Sequence, residues 1–426
     1  MRYLLRWLYA VAARLATRAA PFIPASDNKT ALAIQARRGL RARYAQWAAE
    51  HRVVSRPLLW MHAPSVGEGL QARPVLTLMR SRHPDVQLAY TFFSPSAQQF
   101  AGALDVDFRD YLPFDDGAEM RAAVSALRPR ALVFSKLDVW PTLVREAARQ
   151  DVRLGMISAT LGPASRRRSG AASLLLGDAY AAMDAVGAVD AADADRLVQL
   201  GVRRDVIEIT GDTRFDQVWL RASQLDRDAR LLLQLRSPRP TLVAGSTWPS
   251  DEAQLLPAFT RARATVPDLR LIIAPHELAP DHLRAVEQWA ADNTLSCAHV
   301  DGADASADVV LVDRFGVLGD LYALASVAFV GGGFHDAGLH SVLEPAAYGA
   351  PVVFGPRHRT SRDALALLAA GGGRAVNTAG GIERLLVEWC VDGTARDAVG
   401  AKGAAMIEQG RGAAERSLQL VERLLV

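Results

Sequence analysis

The apolar positions of this chain come in two rhythms. From residue 57 onward, continuous apolar runs alternate with Ala- and Leu-rich amphipathic stretches. The runs at 57–63, 87–93, 131–135, 152–158, 185–189 and 207–211 do not alternate with polar residues as a half-exposed strand would. They predict parallel strands covered on both faces. A polar segment rich in Arg, Asp and Gln follows at about 215–238 and reads as a linker. The pattern then restarts at 241–245, 270–274, 308–312, 327–331 and 351–355. Strand–helix repetition of this kind predicts a doubly wound α/β domain, and the restart predicts two, over 27–218 and 219–426.

The first 26 residues have the other rhythm. Leu4, Leu5, Trp7, Leu8, Val11 and Leu15 cover most of a helix, and Arg2, Arg6, Arg14 and Arg18 lie on one flank at helical spacing. The apolar run is far shorter than the ~20 residues that span a bilayer, and no small-residue cleavage site follows it. This predicts an amphipathic helix lying on an anionic membrane surface, the alternative being an ordinary core-packed terminal helix. Downstream, Arg37 and Arg38 in "QARRGLRARY" read as a basic rim for a phosphorylated lipid, or as a solvated helix face.

Composition narrows the classes. Half of the residues are hydrophobic, so the chain is globular with ample core. A formal net charge of +3, spread along the chain, is too weak to argue for nucleic acid. Cys297 and Cys390 form no CxxC pair, which excludes a disulfide framework or zinc ribbon and points to a reducing compartment. Lysine occurs only at 29, 136 and 402 in an Arg-rich chain, so Lys136 stands out as a position that Arg does not fill.

In open parallel sheets ligands bind beyond the carboxyl ends of the strands, and the candidate chemistry falls there. "WMHAPSVGEGL" (60–70) hands a strand to a helix through small residues. Gly67 admits close backbone approach, Ser65 stands beside it, and Glu68 is either a general base for a hydroxyl nucleophile or a simple acid at a helix start. "FSKLDVWPTL" (134–143) places Lys136 to meet a substrate carboxylate or phosphate and Asp138 to hold Lys136 or an acceptor hydroxyl, with a surface ion pair as the alternative. In "GSTWPSDE" (245–252), Ser246 and Thr247 suit a phosphate or a plain helix cap. "IIAPHEL" (272–278) aims His276 at the same end. "VGGGFHDAGLHSVLEP" (330–345) carries the strongest pattern. Gly332 and Gly333, within the triple glycine, permit approach to a phosphate or sugar, and His340, Ser341 and Glu344 open a helix. No metal is expected. His335, His340 and His358 lack a supporting motif, and Asp105-Val106-Asp107 is a three-letter match to the DxD of metal-dependent transferases.

Two Rossmann-like domains facing a cleft are the GT-B architecture of many sugar-nucleotide enzymes. In order along nearly the whole chain, "WMHAPSVGEGLQARPVL", "TFFSPSAQQF", "YLPFD", "FSKLDVW", "MISATL", "TGDTRFDQV", "VAGSTWPSDE", "APHEL" and "VGGGFHDAGLHSVLEPAAYGAPVVFGP" resemble the 3-deoxy-D-manno-octulosonic acid (Kdo) transferase family of lipopolysaccharide synthesis. The resemblance implies a membrane-associated GT-B enzyme on the cytoplasmic face of the inner membrane. It would transfer Kdo from CMP-Kdo to a tetraacylated lipid A precursor, with inversion, without a metal and without a further cofactor. It implies Glu68 as general base and CMP contacts at Pro275, His276, Phe315, Gly316, Val317, Ser341, Val342, Leu343 and Glu344. It also implies that the last helix crosses back to the first domain, as is frequent in this fold. The chain departs from the family at "HSVLEP", where relatives carry "HNPLEP", at Asp138-Val-Trp-Pro-Thr142, where they carry "ELWPN", and at Val317, where they carry an acid. Two other readings share the pattern: a GT-B enzyme using a UDP-sugar, and a non-catalytic sugar-nucleotide-binding membrane protein.

Overall fold

The computed structural model describes residues 2–22, 24, 29–162, 165, 167 and 170–426. Its contacts divide the chain into two units, Met1–Gln217 with Arg411–Val426, and Val218–Gly410.

In the first unit seven parallel strands form one sheet: β1 (Leu58–His62), β2 (Gln87–Phe92), β3 (Phe108–Tyr111), β4 (Ala131–Ser135), β5 (Arg153–Ala159), β6 (Ala185–Ala188) and β7 (Ile207–Ile209), in the order β3-β2-β1-β4-β5-β6-β7. Every residue of β1, β2, β4 and β6 is buried, as the unbroken apolar runs require of strands covered on both faces. The chain completes this unit from far away in sequence. Helix Ala413–Leu425 buries Leu418, Leu420, Val421 and Leu424 in the same core. Asp216 fixes its start by accepting from the Gly412 and Ala414 N–H groups, at 2.7 and 2.9 Å. The second unit, expected over 219–426, therefore closes before this helix.

The second unit repeats the plan with β8 (Thr241–Thr247), β9 (Arg270–Pro275), β10 (Cys297–His299), β11 (Val309–Leu311), β12 (Val327–Val330), β13 (Val352–Phe354) and β14 (Gly373–Ala375), in the order β10-β11-β9-β8-β12-β13-β14, again all parallel. Three strands were not anticipated: β3, β10 and β14. Each is short and stands at a sheet edge, with the burial of only one face or less. The segment read as a polar linker is helical over Thr213–Ser223 and Arg230–Leu235, and Leu232 and Leu235 anchor the second of these helices in the core. Its polar residues are the outer faces of amphipathic helices.

At the N-terminus, helix Arg2–Ala19 leaves Leu4, Trp7, Leu8 and Leu15 exposed, Trp7 at 61% and Leu15 at 60%. Its inner side packs on helix Gly170–Ala181. Among the described residues no helix is long and apolar enough to cross a membrane.

Candidate active site

In the first sheet the order reverses at β1, whose neighbours are β2 and β4. The loops that follow two central strands on either side of such a reversal open a crevice at their carboxyl ends. Glu68 lies after β1 and Lys136 directly after β4, and the structure brings them together. Lys136 Nζ lies 3.5 Å from Glu68 Oε1, the Ser65 hydroxyl donates to Glu68 Oε2, and the Ser135 hydroxyl donates to the Glu68 carbonyl at 2.8 Å. Ser65 is the N-cap of helix Val66–Arg82, and Glu68 stands three residues on. That spacing normally makes a reciprocal capping box. Here the two side chains bond each other and Ser65 makes no capping bond, so the dipole at the helix start acts on the carboxylate alone.

The two glycines flanking Glu68 differ in kind. A methyl group on Gly69 would run into the Phe100 ring at 2.5 Å, so Gly69 is a packing residue. On Gly67 it would meet only Ser65 Oγ, at 3.7 Å, an ordinary contact. Nothing in the described protein requires glycine at 67, and the space above it is open to a ligand. Lys136 itself has a left-handed backbone, φ 67°, which costs a non-glycine residue on the order of 1 kcal/mol or more. The unusual backbone delivers the ammonium to the carboxylate.

Asp138 opens onto the same pocket of ≈ 230 Å³ as Glu68 and Lys136, but it does not hold Lys136. Its carboxylate faces His62 Nε2 at 3.7 Å, Arg167 Nη2 at 3.6 Å and the Trp140 indole N–H at 3.1 Å. Burial pushes its carboxyl up, yet the His62 bond and the charges of His62 and Arg167 outweigh burial and hold it below the usual range. His62 is in turn fully buried and bonded to Thr91 Oγ1 at 3.0 Å. Asp138 thus acts on the shape of the loop.

The basic rim at Arg37 is corrected outright. The Arg37 guanidinium is buried, donates to the carbonyls of Leu112, Ala33 and Phe93 at 2.9, 2.6 and 3.0 Å, and lies over the Phe93 ring at 4.0 Å. Burial pulls its pKa down to about 10. A charge enclosed this way ties loops together and does not meet lipid. Arg38, its neighbour, is exposed.

The second sheet reverses between β8 and β12, and here too the motif residues meet. The Trp248 indole, after β8, is stacked between His276, after β9, at 4.5 Å and His335, after β12, at 4.0 Å. Its N–H donates to His340 Nε2 at 3.2 Å, and the His276 and His340 rings lie 4.5 Å apart. Burial first, then the charge of His276, lowers the His340 pKa, so the ring stays neutral and accepts. Ser246 is half-buried beside this cluster, while Thr247 is fully buried with its hydroxyl on Glu252 at 2.7 Å. Thr247 is therefore not a phosphate ligand.

The triple glycine also has a different reason from the one expected. A methyl on Gly331, Gly332 or Gly333 would overlap the backbone of Ser246, Gly338 or Gly355, at 2.1, 2.1 and 2.3 Å. The glycines let backbones pack against one another. Asp251, buried in the first turn of helix Pro249–Ala262, fixes the loop: its carboxylate accepts from the N–H groups of Gly332 (2.7 Å), Phe334 (2.9 Å) and Trp248 (3.0 Å).

Pro275 ends β9, and Val342 and Leu343 are fully buried, so their side chains belong to the core. Ser341 is exposed. Glu344, in the first turn of the short helix Leu343–Ala347, faces Arg221 Nη1 at 3.9 Å. Burial raises its pKa against the pull of Arg221. The same guanidinium bonds Asp320 Oδ1 at 2.9 Å and the Gly316 carbonyl at 3.5 Å, which draws the Phe315–Val317 turn toward Glu344. Phe315 itself is 75% exposed. Sequence reasoning missed Trp248, Asp251 and Arg221. Trp248 lies inside a motif already quoted; Arg221 sits in the polar segment with no local signal.

Two parallel, doubly wound α/β units, each with polar loops gathered where its strand order reverses, define the GT-B fold. Solved structures of similar fold include a UDP-N-acetylglucosamine 2-epimerase (TM-score 0.62, 16% identity, 87% of this chain and 95% of that one) and the UDP-GlcNAc 2-epimerase of Neisseria meningitidis (TM-score 0.61, 12% identity, 86% and 100%). At these identities the likeness is one of fold. Residues 36–217 match the family model described as 3-deoxy-D-manno-octulosonic-acid transferase (kdotransferase). Curated relatives with that activity in their names are the Haemophilus influenzae protein, 24% identical over 86% of this chain and 87% of its own, and the Bordetella pertussis protein, 28% identical over 85% and 86%. A third, from Chlamydophila psittaci, is 29% identical over 74% of each. The chain is a glycosyltransferase and a relative of the Kdo transferases.

Proposed function

We propose that this protein transfers Kdo from CMP-Kdo to a tetraacylated lipid A precursor by a single inverting displacement, with Glu68 as general base. The observation that carries the reading is the pairing of Glu68 with Lys136 beside the open space at Gly67, where the first sheet reverses. The acceptor hydroxyl oxygen bonds to the anomeric carbon of Kdo, the bond from that carbon to the CMP phosphate oxygen breaks, and the hydroxyl proton passes to the Glu68 carboxylate. Lys136 stands 3.5 Å from that carboxylate and lies within reach of an anionic substrate group. The leaving group is a nucleoside monophosphate, whose charge Arg side chains and backbone N–H groups suffice to stabilise, so the reaction is read as metal-independent.

The second unit supplies the donor site in this reading. Glu344, held near Arg221, takes the ribose hydroxyls, and His276 and His340 on their Trp248 platform face the phosphate and sugar. The exposed Leu4, Trp7, Leu8 and Leu15 beside the exposed Arg14 and Arg18 support a helix lying in an anionic membrane interface. The reading places the protein on the cytoplasmic face of the inner membrane.

The test is transfer from in situ generated CMP-Kdo to the tetraacylated precursor in detergent with EDTA, read by product mass. Wild type is expected to form product and Glu68→Gln to be slowed ~10²–10⁴-fold, the usual range for a positioned base. A folded, nucleotide-binding wild type that forms no product sinks Kdo transfer and directs attention to UDP-sugars. Full activity in Glu68→Gln removes Glu68 from its role.

A further inference from the structure

Arg221 lies on helix Thr213–Ser223, in a polar stretch without a chemical motif, yet its guanidinium is the centre of a cluster within the second unit. Its Nε–H donates to Asp320 Oδ1 at 2.9 Å, Nη1 lies 3.9 Å from Glu344 Oε1, and an Nη2–H donates to the Gly316 carbonyl at 3.5 Å. The seat is shaped for it. Gly319 is buried next to Asp320, and a methyl group there would fall on the Arg221 guanidinium. Two carboxylates thus share one cation. Burial disfavours the charged form of Glu344, Arg221 favours it, and Asp320 opposes it again. Tyr322 and Tyr348 also face Glu344, but burial raises both phenols, so they add no charge near neutral pH.

We infer that Arg221, seated by Gly319 and Asp320, is a positioning residue that holds Glu344 as a carboxylate and so makes the donor site select a nucleotide with free ribose hydroxyls. The inference rests on the reading of Glu344 as the ribose ligand. The protonation state of one group decides the selection. An ionised carboxylate is an acceptor only, so it takes a hydrogen bond from each of two adjacent hydroxyls. A protonated carboxyl carries its own O–H and loses part of that capacity. Without the guanidinium, Glu344 stands half-buried with Asp320 as the charge acting on it, and it takes up a proton at higher pH. Arg221 therefore acts through Glu344 and not on the nucleotide itself. The preference for ribose hydroxyls is lost as pH falls through the Glu344 pKa, and removal of Arg221 moves that loss upward in pH.

The experiment is calorimetric titration of the full chain with CMP and with 2′,3′-dideoxy-CMP across a range of pH. The ratio of the two affinities cancels the titration of the phosphate and of His276, which both nucleotides share. Wild type should bind CMP at least about tenfold more tightly near neutral pH, the effect of hydrogen bonds to a charged group, and lose the preference on acidification. In Arg221→Gln the loss should set in about one pH unit or more higher, with the preference recovered in alkaline buffer. Gly319→Ala, which keeps Arg221 but fills its seat, should shift the profile in the same direction. Adding it to Arg221→Gln should bring no further shift, since both act through one contact. Glu344→Gln should show a smaller preference that does not vary with pH. Equal binding of the two nucleotides by wild type removes the ribose role from Glu344 and the inference with it. A wild-type preference whose pH profile is unchanged in the folded Arg221→Gln variant overturns the inference alone and leaves Glu344 as the ribose ligand. An equal loss of affinity for both nucleotides at every pH also overturns it, for Arg221 would then only support the fold.

Discussion

At the scale of single residues, the two sheets put different chemistry at equivalent places. After β1 and β4 stands an ion pair, and after β8, β9 and β12 a stack of indole and imidazole rings. The stack has a consequence in pH. His340 is faced by His276, by His335 and Trp248, and by Asp251, the one group there that favours its protonation. In the unfolded chain a histidine takes a proton near pH ~6.5, whereas in the folded protein His340 resists it to lower pH. Between those values the unfolded state binds more protons, so stability falls as pH drops. Urea unfolding of the second unit should show a loss of stability from pH ~7.5 to ~5.5 that His340→Gln reduces, since glutamine still accepts from the indole without titrating. An identical loss in the variant would place the effect elsewhere.

At the scale of elements, the loop Gly331–Gly333 owes its form to a partner 81 residues away in sequence, Asp251. Hydrogen bonds to a charged group contribute about 1.5–3 kcal/mol each. Asp251→Ala leaves three N–H donors, that of Gly332 buried and those of Trp248 and Phe334 half-buried, without that acceptor and should destabilise the second unit by about 3 kcal/mol, read as a shift of the urea midpoint. A shift under about 1 kcal/mol would mean that the loop is held by backbone packing alone. The same long reach explains what was legible beforehand. Central strands could be read because burial on both faces writes an unbroken apolar run. The edges β3 (FRDY), β10 (CAH) and β14 (GRA) could not, since one neighbour and one covered face impose too little pattern. Glu68, Gly67 and Lys136 were legible because each lies where a strand visibly ends. The duties of Asp251, Arg37 and Thr247 were not, because distant backbone groups and a buried carboxylate decide them.

At the scale of the whole molecule, the first unit is closed by a helix from the other end of the chain. Leu418 is fully buried in that helix and packed in the first core. Leu418→Ala should cost about 2–5 kcal/mol, as core truncations do. The loss should appear as faster hydrogen exchange in β4, β5 and β6, against which the helix packs, with β8, β9 and β12 unchanged. Uniform acceleration in both sheets would mean that the two units unfold as one.

That helix also sets an order of assembly. Domains generally fold as units while the chain is being made, the N-terminal one first. Here Val218–Gly410 has been synthesised in full before residues 413–425 reach the first unit. The later half is therefore complete while the earlier half still shows an uncovered apolar face over β4, β5 and β6.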